Sequence, residues 1–232
     1  MAGHSHWANI QRTKSKEDAK RGKIFSKWAK QIMAAAREGG SDPAMNLKLR
    51  YAIDRAKADN MPKDSIERAV KKGAGELEGQ TLEEVMYEGY APGGVALLIE
   101  TLTDNRNRTA PVVRAAMAKR GGSMANSGSV SYMFHRKSVF AINRKGISED
   151  ELIELALEHG AEDVNVEHQE LFGIDAPPEA FIDLTKAFES KGYTILSAEL
   201  RYIPDNYVPV GESEASQLLA IIDLLEEDDD IQ

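Results

Sequence analysis

Five lysines near the start of the chain, Lys16, Lys20, Lys23, Lys27 and Lys30, are spaced four, three, four and three residues apart. In a helix that spacing stacks their ammonium groups along one face for about 20 Å. The first 30 residues hold eight Lys or Arg against only Glu17 and Asp18, so the ridge has one sign. A ridge of this kind suits a polyanion, and contact with several phosphates would make affinity fall steeply with salt without reading base sequence. The competing reading is a solvated helix face. Arg12 and Lys14 extend the row. Trp7, between His6 and Ile10, either stacks on an unpaired base or packs against the helices. In DNRNRT, Arg106 and Arg108 precede a helix expected from Thr109, whose free N–H groups would favour an anion. Alternatively Asp104 and Thr109 cap backbone groups while the arginines pair with acids.

Other chemistry finds little support. His135, His159 and His168 are dispersed, neither an H-x-x-x-H helix nor a G-x-S-x-G elbow occurs, and the absence of Cys removes thiol nucleophiles and thiolate ligands. No catalytic residue, metal site or cofactor is expected. Removal of Met1 would leave Ala2-Gly3-His4 as a terminus suited to square-planar Cu(II) or Ni(II), an adventitious site on this reading. The loop GGSMANSGS lacks the Lys-Ser/Thr ending of a P-loop and is expected to supply turns. The acidic EEDDD tail follows a helix whose dipole it opposes, so it is expected to fray. A sharper expectation is that it folds over the Lys row and competes with nucleic acid.

These residues need elements to position them. A first helix, capped by Ser15 and ended by Gly39-Gly40, carries Phe25, Trp28, Ile32 and Ala36 opposite the lysines. A second is expected over 43–59, starting at Pro43 and burying Met45, Leu49, Ala52, Ile53 and Ala56, and a third, DSIERAVKKG, buries Ile66, Ala69 and Val70. AGELEGQ reads as a linker. Strands follow at 85–91 and 95–103 around Pro92-Gly93-Gly94, then a helix at 109–120 and a strand near 129–134. A βαββαβ pattern comes next: strand 138–143, helix 150–159 with a Ser148/Glu151 capping box, strands 164–168 and 171–175, helix 179–191 and strand 194–202. Its strands lack aromatic clusters for stacking bases, with Phe172 nearly alone. A last helix over 214–225 carries Leu218, Leu219, Ile222 and Leu225 and is assigned back to the middle strands.

The expected fold class is therefore α+β: an N-terminal three-helix domain followed by two α/β domains, the last ferredoxin-like and inserted in the middle one. The expected boundaries are 1–79 for the basic helical domain, 80–135 plus 204–232 for the discontinuous α/β domain, and 136–203 for the insert. Charge follows the same division. Up to Lys72 there are 17 basic and 8 acidic residues, and beyond it 12 and 30, within a net charge of −9 over 232 residues. Screening over about 8 Å lets each region choose its own partner. With no cysteine and no long apolar run, the chain reads as cytoplasmic and without a membrane partner.

The stretches AGHSHWANI, DAKRGKIF, EGYAPGG, TDNRNRT and GGSMANSGSVSYMF, in this order, resemble the YebC/PmpR family of transcriptional regulators, relatives of the mitochondrial translational activator of cytochrome c oxidase. The resemblance covers nearly the whole chain. It implies one helical and two α/β domains, a cytoplasmic nucleic-acid-associated role and no known catalysis. The family's naming favours DNA and transcription, whereas the mitochondrial relatives and a proposed role at ribosomes stalled on proline-rich sequence favour translation. His6 stands where the family more often has Lys. Relatives also usually continue past the acidic helix into a final strand, so either the sequence is trimmed or the middle sheet lacks a strand and has an open edge. The expected function is a non-catalytic regulator of gene expression that grips ribosomal RNA or the ribosome through the Lys row. The alternatives are a DNA-binding transcriptional regulator and an adaptor acting through the acidic domains.

Overall fold

A computed structural model describes residues 21–79 and 81–232. The α+β chain forms two compact units, Met133–Asn206 and the described part of His4–Tyr132 joined by Tyr207–Gln232. The larger unit begins with α1 (Arg21–Gly39), α2 (Leu47–Ala58) and α3 (Lys63–Gly73). Their apolar stripes meet around Ile32, Leu49, Ile53, Met61 and Ile66, with alanines 35, 36, 52, 56 and 69 keeping the helices close. Phe25, Trp28 and Val70 pack against this core, and the Trp28 indole donates to Asp59 at 2.5 Å. A Cβ on Gly73 would lie 2.4 Å from the Met33 carbonyl oxygen, so only glycine permits this contact of α3 with α1.

The second helix starts at Leu47 rather than Pro43, and Met45 is 85% exposed rather than buried. Asn46 wins the cap because it does two things at once. Its Oδ1 accepts from the Leu49 N–H, while its Nδ2 donates at 2.8 Å to the carbonyls of Ala35 and Gly40 at the end of α1. Pro43 and Met45 are left in the preceding turn.

In the same unit β1 (Glu83–Ala91) and β2 (Val95–Thr103) form an antiparallel hairpin. Pro92–Gly94 turns the chain, with positive φ at Gly93 and Gly94 where a side chain would be strained. A strand that periodicity missed, β3 (Ser123–Met124), is too short to show alternation and pairs with the other edge of β1, giving the order β2-β1-β3. Helix α4 (Arg106–Ala118) packs on this sheet with the last helix. The expected strand near 129–134 is instead a helical turn, Ser131–Met133, since the N–H groups of Val130 and Ser131 at its start serve a carboxylate described below.

The smaller unit holds β4 (Phe134–Asn143), α5 (Glu149–Glu158), β5 (Asp163–Asn165), β6 (Leu171–Ala176), α6 (Phe181–Ser190) and β7 (Ile195–Pro204). Its antiparallel order β5-β6-β4-β7 is ferredoxin-like. Phe140 stacks on Phe181 at 5.2 Å and meets Phe188 edge-on at 5.5 Å, joining sheet to α6. Phe172 is fully buried, with the Arg144 guanidinium 4.5 Å from its ring centre. Ser148 occupies the cap of α5, but its side chain makes no capping bond; Glu149 is held by Arg144 instead. The strand expected at 164–168 shortens to β5 because the Asn165 side chain turns the chain by accepting from the Glu167 N–H.

The chain returns to the larger unit through α7 (Glu212–Glu226). Leu225 enters the core formed by Ala91, Ile99, Val113 and Met117 as expected and Leu218 packs against it, but the fully buried position is Ile221, which the expected stripe did not include, while Ile222 is only half-buried and Leu219 faces outward at 43% exposure. The tail does not fray. Residues 230–232 run along β2: the Leu102 N–H donates to the Asp230 carbonyl at 2.7 Å, the Gln232 N–H to that of Glu100, and Ile231 bridges Thr101. Ile231 is 5% exposed, so this stretch of the outer edge of the middle sheet is covered rather than open.

Candidate nucleic-acid interface

Of the ten predicted contact residues, Trp7, Arg12, Lys14, Lys16 and Lys20, with the proposed Ser15 cap, lie outside the described residues. Lys23, Lys27 and Lys30 are on α1, where spacings of four and three keep them on one side. Lys23 is exposed, and its ammonium donates to the Glu227 carbonyl at 2.8 Å. Lys27 is half-buried. Lys30 donates to the Asp229 carbonyl at 2.9 Å and to Asp230 Oδ1 at 2.5 Å, with only 16% of its side chain exposed. The acidic tail thus lies against the described part of the Lys row.

Arg106 and Arg108 sit inside the first turn of α4, not before it. The Asn105 side chain caps the helix by accepting from the Arg108 N–H, freeing Thr109 for the interior. Arg106 pairs with Glu83 at 2.5 Å, both half or more exposed. The guanidinium of Arg108 donates at 2.7 Å to both Asp104 and Asp230.

Two predicted residues from distant parts of the sequence, Lys30 and Arg108, therefore meet on one carboxylate. Asp230 Oδ1 takes Lys30; Oδ2 takes Arg108 and the hydroxyls of Thr103 and Thr109 at 3.0 and 2.8 Å. The two hydroxyls are 2.7 Å apart, and Thr103 also accepts from the Asn105 N–H. Burial by itself would push the Asp230 carboxyl up, but Lys30, Arg108, Thr109 and Thr103 outweigh it and hold it far below the ordinary carboxylate range. The same carboxylate raises the Arg108 guanidinium above its ordinary value, with Asp104 adding to the effect. Sequence reasoning missed Asp230 as a partner; the run of three aspartates gives no local sign of which one turns inward.

Further cations of the helical domain were also missed. Arg37, Arg68 and Lys71 are exposed and Lys72 half-buried, and none has an ion pair with a described residue. On α3 the spacing of Arg68, Lys71 and Lys72 puts them on one side. Arg37 and Lys72 line a groove of about 590 Å³ floored by Gly40, Gly73 and Gly75. A neighbouring groove of about 460 Å³ has an apolar floor of Ile53, Met61, Ile66 and Val70 with Lys57, Lys63 and Lys71 around it.

The glycine loop is occupied from within. Glu88 of β1 is 4% exposed, and its carboxylate accepts from the N–H groups of Gly128, Val130 and Ser131 at 2.7, 2.6 and 2.9 Å. Burial pushes this carboxyl up, yet the backbone donors of Val130, Gly128 and Ser131 prevail and pull it down to about 2. A nest of this kind would otherwise suit an external anion. The histidines stay apart: His135 pairs with Asp205 at 2.8 Å, while His168 Nδ1 accepts from the Glu170 N–H. Among the described residues no group of three His, Asp or Glu could hold a metal, and no helix is long and apolar enough to cross a membrane.

Comparison with known proteins adds independent information to this geometry. Residues 5–76 match the TACO1/YebC protein N-terminal domain, and residues 82–232 match the TACO1/YebC second and third domain. The chain belongs to the TACO1/YebC family. A protein of Kosmotoga olearia is 53% identical over 233 residues, spanning all of this chain and 92% of that one. Another, of Geobacillus kaustophilus, is 50% identical across all of this chain and 95% of its own. Both carry the name "Probable transcriptional regulatory protein". The crystal structure of a conserved hypothetical protein from Aquifex aeolicus superposes with a TM-score of 0.81 at 46% identity, covering 94% of this chain and 90% of that one.

Proposed function

We propose that the protein is a non-catalytic, cytoplasmic regulator of gene expression whose basic helical domain docks on the phosphate backbone of RNA, with the ribosome as its target. The observation that carries this reading is charge segregation. The helical domain exposes Lys23, Arg37, Arg68 and Lys71, whereas the chain beyond Lys72 holds 30 acids against 12 bases. Such a molecule is attracted to polyanion at one end and repelled along the remainder, which favours a shaped, partly proteinaceous target over bare duplex. The regulatory names of the relatives support a role in gene expression. Those names also favour a second reading, a DNA-binding transcriptional regulator, which requires residues that reach base edges. The family's β-rich domains would then position the helical one.

The test is crosslinking in cells followed by sequencing of the bound nucleic acid, with fluorescence anisotropy on purified protein. Enrichment of ribosomal RNA supports the first reading and enrichment of promoter DNA the second. With about six phosphates engaged, affinity should drop by about 10³ between roughly 50 and 200 mM salt. Replacing Lys16, Lys20, Lys23, Lys27 and Lys30 with glutamine should flatten that dependence. Unchanged association with RNA, DNA and ribosomes at every salt would refute the proposal.

A further inference from the structure

We propose that Lys30, Arg108, Thr103 and Thr109 form a receptor for one phosphate of a bound polynucleotide, and that Asp230 fills it as an internal substitute when no polyanion is present. The inference rests on the nucleic-acid reading above and adds a site and a means of regulation to it.

The donor set is the first argument. Two cations and two hydroxyls converge on a single carboxylate, Lys30 on one oxygen and Arg108, Thr103 and Thr109 on the other. A phosphodiester offers the same pattern, two acceptor oxygens sharing one negative charge, and Arg and Lys with hydroxyl donors are the usual partners of backbone phosphate. The second argument is charge balance. Lys30 and Arg108 are offset by Asp230 and Asp104, so the filled cluster is neutral. Withdrawing Asp230 leaves one positive charge among donors whose remaining charged partner is Asp104.

Access is the third argument. The Arg108 side chain is 52% exposed while that of Asp230 is 5% exposed, so the cluster is approached from the arginine side. The substitute lies on the stretch 230–232, held to β2 by two backbone hydrogen bonds and the Ile231 bridge and to α1 by Gln31 and Lys30. Exposed Lys23 lies nearby, donating to the Glu227 carbonyl just before that stretch. A polyanion able to engage exposed Lys23 as well as Lys30 and Arg108 would compete with Asp230 where a single small anion would not.

The test uses the full chain and its Asp230→Asn variant, which keeps the shape of the side chain and removes its charge. Binding to a short single-stranded RNA and to duplex DNA is measured by anisotropy over a salt series. Asp230→Asn should bind at least about tenfold tighter at the lowest salt, with the slope of log K against log salt steeper by about one phosphate contact. Adding Lys30→Gln or Arg108→Gln to that variant should abolish the gain. Inorganic phosphate provides a second readout that does not depend on polynucleotide affinity. At matched ionic strength it should raise the melting temperature of Asp230→Asn more than chloride does, and leave the unsubstituted protein as in chloride. Binding by the unsubstituted protein with no gain in Asp230→Asn, and no phosphate-specific rise in melting, would overturn the receptor while leaving the nucleic-acid reading intact. Failure of every variant to bind RNA or DNA at the lowest salt would overturn both.

Discussion

Glu88 offers the most direct test of the electrostatics inside the larger unit. Its carboxylate is 4% exposed and receives three backbone N–H groups from the loop over Gly128–Ser131. The fall of its pKa from 4.5 to about 2 corresponds to about 3 kcal/mol of folding free energy, and screening by solvent at the loop surface reduces this to about 2 kcal/mol. The sign follows from linkage. A carboxyl depressed in the folded state contributes its full stability above the unfolded value of 4.5 and loses it as pH falls toward 2. Urea unfolding followed by circular dichroism at pH 7, 5, 4 and 3 should therefore show a loss that Glu88→Gln lacks. At pH 7 the variant should be less stable by about 2–3 kcal/mol, because its amide cannot accept from all three N–H groups and directs its own donors toward theirs. At pH 3 the gap should narrow by about 1–2 kcal/mol. Parallel stability curves for the two proteins would refute the reasoning.

Three further substitutions probe the helical domain. Asn46→Ala removes a cap and two buried donations to the end of α1, and should cost about 2–3 kcal/mol in urea unfolding. Gly73→Ala forces a Cβ to within 2.4 Å of the Met33 carbonyl, and should destabilise by about 2 kcal/mol or more, with serine no better than alanine. Met45→Gln, at an 85% exposed position, should change stability by less than about 0.5 kcal/mol, an outcome incompatible with Met45 in the core stripe of α2.

What the sequence disclosed and what it withheld divide along a physical line. The stripe of Ile32 and Ala36 in α1, the strand from Val95 to Thr103 and the βαββαβ order were legible because each is a local periodicity repeated over several residues. Competition between caps was not legible. Pro43 is a good first residue for a helix, but Asn46 also bonds to carbonyls at the end of α1, a tertiary fact that moved the helix start past Met45. Asn105 displaced Thr109 by a purely local cap and drew Arg106 and Arg108 into the helix. The meeting of Lys30 with Asp230 spans 200 positions, so no window of sequence contains it. Glu88 is a related case: its partners are backbone N–H groups, which leave no trace in residue type.

Two ionic contacts of different strength are among those that join the helical domain to the middle α/β domain. Lys48 bridges Glu38 and Glu84 at 2.9 and 3.0 Å, with about a third of its side chain and more of theirs in solvent. Burial alone would lower its pKa, yet the two carboxylates raise it. An exposed bridge of this kind is worth about 0–1 kcal/mol and weakens with salt. Asp230 differs because water is excluded from it and all four of its side-chain donors are in place. Removing one partner of a buried ion pair costs about 3–5 kcal/mol, most of it from the charge left without a counterpart. High salt should therefore loosen the Lys48 contact and leave the Asp230 cluster closed. Only an anion that can itself satisfy Lys30 and Arg108 offsets the loss of Asp230, so the desolvation that fixes the tail in place is also what makes the vacated donors discriminate phosphate from chloride.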